Sequence, residues 1–171
     1  FHPFSDELDN LTGTVLLNPN MIFPKDPQKA ATTHPRVVQS IAEKITHSCS
    51  PDRIYVGDSP GGFINNIERF WEKTGYKDAE SESCFELIEF ETGEMQAHTL
   101  HVSKKEIEVR IAQPVLESDF LINVSKLKTH SLTLFTGALK NLYGVIPGLL
   151  KANLHKVFQH PFDFADLIVE L

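Results

Sequence analysis

Acidic side chains are missing from one long stretch of this chain. Between Asp119 and Asp163 there is no Asp or Glu, although the 171 residues hold 23 of them. The same interval carries Lys126, Lys128, Lys140, Lys151 and Lys156, together with His130, His155 and His160. Such an interval predicts a local positive field that draws in an anion while the rest of the surface stays acidic. The overall net charge of −7 excludes general nucleic-acid binding, which draws on a basic surface.

Cysteine is scarce as well. Cys49 and Cys84 are far apart and form no CxxC, which excludes an iron–sulfur cluster or a structural zinc site built from these thiols alone. Two such thiols point to a reducing cytoplasm. No apolar run approaches the ~20 residues that cross a bilayer, so no membrane partner is expected. The start at Phe1-His2-Pro3-Phe4 lacks the basic and apolar regions of a signal peptide. With no initial Met, and with Leu171 inside an apolar stretch, the chain is expected to be a piece of a longer polypeptide.

What is present reads as alternating strands and helices in one domain over residues 1–171. Thr14-Val15-Leu16-Leu17 is a buried strand ended by Asn18-Pro19-Asn20. Pro35 opens a helix whose stripe is Val37, Val38, Ile41, Ala42 and Ile45, with Thr33 or His34 at the cap. Arg53-Ile54-Tyr55-Val56 is the next strand, and Gly57 to Gly62 turns into a helix carrying Phe63, Ile67, Phe70 and Trp71. Residues of about 85–111 alternate like half-exposed strands and predict a small antiparallel insertion. Phe120 to Val124 returns to the buried type, and Gly137 to Phe158 is mostly helical. Together these predict a three-layer α/β fold, a mostly parallel sheet with helices on both faces.

In such sheets ligands bind where the loops converge beyond the carboxyl ends of the strands. Three polar motifs follow three apolar strands: Asn18-Pro19-Asn20, Gly57-Asp58-Ser59-Pro60-Gly61-Gly62, and Ser125-Lys126-Leu127-Lys128-Thr129-His130. In an extended backbone Lys126, Lys128 and His130 project to one side and Leu127 to the other. Like charges on one face call for an anion or a carboxylate between them. The glycine-rich turn matches neither the dinucleotide fingerprint nor the P-loop, but its amides suit an anion at a helix start. His130 or His34 would move a proton or ligate a metal, and Asp58 would orient one of them, bind a metal or cap the helix. Asn20, Thr33, Ser59, Gly61, Gly62, Lys126, Lys128, Thr129, Gly137, Lys140 and Asn141 are the expected ligand contacts. Ser59 lacks the G-x-S-x-G elbow, and no H-E-x-x-H occurs.

These motifs, with Thr136-Gly137-Ala138-Leu139-Lys140-Asn141-Leu142-Tyr143-Gly144, resemble the domain-of-unknown-function family 362, from about Val15 onward. The resemblance implies a prokaryotic protein often associated with a ferredoxin-like iron–sulfur segment. Here two features depart from the family. Asn18 stands where Lys is usual, and the four-cysteine motif is absent, so a 4Fe-4S cluster would lie outside this chain or on a partner. The leading expectation is a domain that binds a small anionic metabolite, as an enzyme with redox-linked chemistry through that outside segment. A non-catalytic sensing or docking module for an iron–sulfur electron-transfer protein is the first alternative. A metal-dependent enzyme using His34, Asp58 and His130 is the second.

Overall fold

The computed structural model describes residues 11–61, 64 and 66–171. Its centre is a four-stranded parallel sheet of β1 (Thr12–Pro19), β2 (Ser50–Asp58), β3 (Glu86–Glu89) and β6 (Phe120–Val124), in the order β3-β2-β1-β6. β1 runs between β2 and β6, with Leu17 opposite both Val56 and Ile122. A central strand covered on both faces must be apolar throughout, and Val15, Leu16 and Leu17 are fully buried.

Alternation along β1 divides the core. Val15 and Leu17 join Ile54 and Val56 under three helices: α1 (Pro35–Ser48), α2 (Ile67–Thr74) and α3 (Tyr76–Ser81). Pro35 occupies the first turn of α1, and Val38, Ala42 and Ile45 face the sheet at helical spacing. Asn66 caps α2 by accepting from the Arg69 amide at 2.9 Å, so the described helix begins at Ile67. The expected Phe63 and Gly62 lie outside the described residues. Gly75, at φ 74°, lets α2 stop and α3 begin at once.

Leu16 faces the other way, with Tyr55, Ile88, Phe90, Ala112 and Val115. That face is covered by the short α4 (Gln113–Glu117) and by the antiparallel hairpin of β4 (Met95–Val102) and β5 (Lys105–Ala112). The hairpin is the antiparallel insertion expected near 85–111, with one change: the segment after Phe85 pairs in parallel with β2 as β3. A second core sits on the hairpin, where Val102 and Val109 meet Tyr143, Ile146, Phe158, Phe164 and Leu167. It receives α6 (Leu149–Val157) and α7 (Pro161–Glu170).

The stretch from Gly137 is not one helix. It holds α5 (Ala138–Leu142), a 3-10 turn at Tyr143–Val145, and a break at Pro147-Gly148, with Gly148 at φ 57°. Pro147 ends one helical run, and Gly148 permits the turn into the next. Ahead of α5, a separate hairpin pairs β7 (Lys128–His130) with β8 (Leu134–Thr136).

Candidate functional site

All four parallel strands end on the same edge, and a cavity of about 250 Å³ opens there. Its wall is formed by Asn20 and Met21 after β1, Asp58 and Ser59 at β2, and Lys128 and His130 on β7. Thr136, Lys140 and Asn141 close it from β8 and α5, and Lys151 and His155 from α6. Of the expected contacts, Asn20, Ser59, Gly61, Lys128, Lys140 and Asn141 are brought together here, with Asp58 and His130.

The floor is a polar lattice at the strand ends. Asn18, buried in β1, donates to Gly57 O at 2.8 Å and to Asp58 Oδ1 at 3.3 Å. The Met21 amide donates to Asp58 Oδ2 at 2.7 Å. Asn141 Nδ2 reaches Asn18 O at 3.0 Å, Asn18 Oδ1 at 3.2 Å and Asn123 Oδ1 at 3.0 Å, pinning α5 to β1 and β6. Asn18 thus works as a structural amide.

Burial lifts the Asp58 carboxyl to about 7, against the opposing pull of Lys151, the Met21 amide and Asn18. The three lysines differ in how fully they are engaged. Lys151 Nζ donates to Ser59 O, to Ser59 Oγ at 2.7 Å and to Pro60 O at 3.3 Å, which uses all three of its protons. Lys128 Nζ donates to Asn20 Oδ1 and to Ala31 O at 2.7 Å, leaving one proton over. Lys140 makes no hydrogen bond or ion pair among the described residues; its Nζ lies 5.0 Å from the Tyr143 ring centroid and 5.6 Å from that of Phe164. Burial, with Lys151 and Lys128 nearby, brings Lys140 down to about 8. Burial also lowers Lys128 and Lys151.

His130 Nδ1 accepts the amides of Leu132 and Thr133, both at 3.2 Å. A nitrogen that accepts carries no proton, so neutral His130 holds its proton on Nε2 and is a donor there. Burial and the cations Lys140 and Lys128 hold its pKa below the ordinary value and keep it neutral. His155 stacks on Phe164 at 4.4 Å and meets Tyr143 edge-on at 5.3 Å. Burial, Lys140, His130 and Lys151 take it down to about 4.

Ser59 Oγ donates to Glu91 and accepts from Lys151 and from the Gly148 amide at 3.1 Å. Its proton and both lone pairs are spent, so it braces the wall and is not poised as a nucleophile.

This chain belongs to the DUF362 family, a domain of unknown function. The family's model matches residues 15–171. A protein named thylakoid-associated protein sll1697, from Synechocystis sp. (strain ATCC 27184 / PCC 6803 / Kazusa), is 27% identical over 157 residues. The match covers 91% of this chain and 46% of that protein, so the chain spans less than half of its relative's length. No solved structure matches the chain. No helix among the described residues is long and apolar enough to cross a membrane.

Other expected site residues of this DUF362 domain lie elsewhere. His34 caps α1, its Nδ1 accepting the Arg36 amide at 3.2 Å, and it lines a different surface hollow with Asp26 and Gln39. Thr33 Oγ1 ties the loops after β1 and β6 by accepting from the Asn20 amide at 3.0 Å and donating to Val124 O at 2.8 Å. Lys126, Thr129 and Gly137 are not part of the cavity wall. His34, Asp58 and His130 therefore do not converge as a ligand set. Among the described residues no group of three or more His, Cys, Asp or Glu could hold a metal ion. Lys151 and His155 are the ionisable wall residues that pattern reading left out of the site. The only advance signal for them was their place in the acid-free interval.

Proposed function

We propose that this domain binds a small carboxylate- or phosphate-bearing metabolite in the cavity at the carboxyl edge of its sheet, as the substrate site of an enzyme. One observation carries the reading: a cavity lined by three lysines and a His130 donor in which the cations are unequally satisfied. Lys140 lacks any hydrogen-bond partner among the described residues and Lys128 keeps a proton over, so an oxyanion supplies the acceptors that the wall does not. With Asp58 lifted to about 7, the negative charge within the wall is partly discharged near neutrality, and the attraction for an anion grows.

A thermal-shift series with inorganic phosphate and with small carboxylates tests this. Saturation at a hundred times the dissociation constant adds about 2.7 kcal/mol of stability. The gain is expected in the parent chain and is lost in Lys128→Ala and in Lys140→Met. A flat response across the series would remove the proposal.

The docking-module alternative draws on a separate observation. Thr129 pairs with Phe135 across the β7–β8 hairpin, on the side opposite Lys128 and His130. Phe135 is 60% exposed and Leu127 is 78% exposed, an apolar outer face suited to a partner such as a ferredoxin-like domain. Loss of binding to such a domain in Phe135→Ser, with anion binding intact, would favour it. Cytoplasmic residence goes with either reading, with thylakoid association if the chain shares the setting that its relative's name gives.

A further inference from the structure

We propose that Lys140 is an amine nucleophile that captures a carbonyl-bearing carboxylate, a 2-oxo acid, as a Schiff base. The proposal deepens the anion-site reading and rests on it for the placement of the carboxylate. Its ground is the contrast among the three lysines of one wall. Lys151 is fixed as an ammonium by three oxygen acceptors, and Lys128 by two. Around Lys140 Nζ stand ring faces, those of Tyr143 and Phe164, with His155 stacked on Phe164. Ring faces stabilise a cation but offer no lone pair to hold each N–H, and the neighbouring cations oppose a further positive charge.

The groups that act electrostatically on Lys140 come from every element around it: Lys128 on β7, Lys151 on α6 and Asp58 on β2. His130 and His155 also feel its charge. Among the charged groups only Asp58 favours the ammonium. The balance makes the proton easier to lose than from an ordinary lysine, in line with a group brought down to about 8, so that the free amine is a substantial fraction at pH 8. A lysine desolvated beside other cations is the environment that makes an amine nucleophilic near neutrality.

A 2-oxo acid fits the rest of the wall. Its carboxylate takes the spare proton of Lys128 and the Nε2–H of His130, which places the adjacent carbonyl carbon toward Lys140. The Nζ lone pair forms the C–N bond, the carbonyl π pair moves to oxygen, and a proton passes from nitrogen to that oxygen to give the carbinolamine. The nitrogen lone pair then closes C=N as the C–O bond breaks, and oxygen leaves as water with a proton taken from bulk solvent. The product is a protonated imine on Lys140, with one water released and no change of oxidation state.

The experiment incubates the protein with pyruvate and sodium cyanoborohydride at pH 8, then takes intact mass and a peptide map. One reduced adduct per chain is expected, on Lys140. It should form faster than on surface lysines by on the order of a hundredfold, the ratio of neutral-amine fractions at that pH. Lys140→Arg and Lys140→Met should both lose the adduct while Lys128→Ala slows it. Adducts spread over surface lysines, or equal labelling in the Lys140 variants, would overturn the assignment. Lactate, which keeps the carboxylate and lacks the carbonyl, separates the two readings. If lactate and phosphate stabilise the protein and pyruvate leaves no adduct, the Schiff base falls and the anion site stands. If Lys140 is labelled while neither anion shifts the melting curve, the anion site falls and the reactive amine stands.

Discussion

The backbone of Gly144 rests directly against the Asp58 carboxylate: a Cβ at position 144 would overlap Oδ1 and lie 3.0 Å from Cγ. Neither side can retreat. Asp58 is held by the Met21 amide at 2.7 Å, and Gly144 O accepts the Ser59 amide at 3.1 Å. Gly144→Ala is therefore expected to destabilise the fold by about 1–3 kcal/mol, read from urea unfolding.

The pH dependence of stability separates two buried groups that titrate in opposite senses. Asp58, raised from 3.8 to about 7, binds more protons folded than unfolded, so its contribution is full below pH 4 and is lost as pH rises through 7. His155, lowered from 6.5 to about 4, binds fewer protons folded, so its contribution grows as pH rises from 4 to 6.5. Near-cancellation is expected across that window in the parent chain. Asp58→Asn mimics the protonated acid and should unmask the His155 slope, with stability rising from pH 4 to 6.5 and then levelling. A falling profile in that variant would contradict the assignment.

Two lysines of one wall should respond oppositely to removal. Lys151→Met leaves Ser59 O, Pro60 O and the Ser59–Glu91 pair without their donor, and a loss of about 2–3 kcal/mol is expected. Lys140→Met removes a cation that has no hydrogen bond to lose and places a methyl near the Tyr143 and Phe164 rings. Without ligand it should raise stability by about 1 kcal/mol, while abolishing stabilisation by anions. Calorimetric unfolding of both variants, with and without phosphate, checks the pair.

Asn141→Leu keeps the branched heavy-atom shape and removes the hydrogen bonds to Asn18 and Asn123. It should cost about 2–4 kcal/mol and release α5 from the strand ends. Faster hydrogen exchange in residues 138–142 than in α1 would show that the loss is local in origin.

Much of this arrangement was legible in the chain itself. The apolar run at Val15–Leu17 could only be a doubly covered strand, and the two-residue period placed Lys128 and His130 on one side of theirs. What was not legible depended on contacts without a spacing. Lys151 meets Ser59 across 92 positions, after a helix break at Pro147-Gly148 that periodicity ran through. His34, read from the pattern both as a helix cap and as a site residue, takes the cap: its imidazole accepts an amide proton at the start of α1 as Ser or Asp would. Residues 86–89 carry the alternation of an exposed edge, yet they sit at the margin of the parallel sheet, where one strand can be half wet.

The lattice that fixes the cavity floor also sets when the cavity comes into being. Asn18 and Asn141 are joined across 123 positions, and Asn18 and Asp58 across 40. Closing a loop of that size is slow because its entropy is spent before its contacts form. A chain emerging from synthesis can lay β1 against β2 early, but its strand-end cavity is not walled until α5 and α6 have folded back over the strand ends. Partly folded forms would then be blind to the proposed anion. On the proposed reading, occupancy would report only the state in which that wall is built and, by mass action, would draw α5 and α6 home.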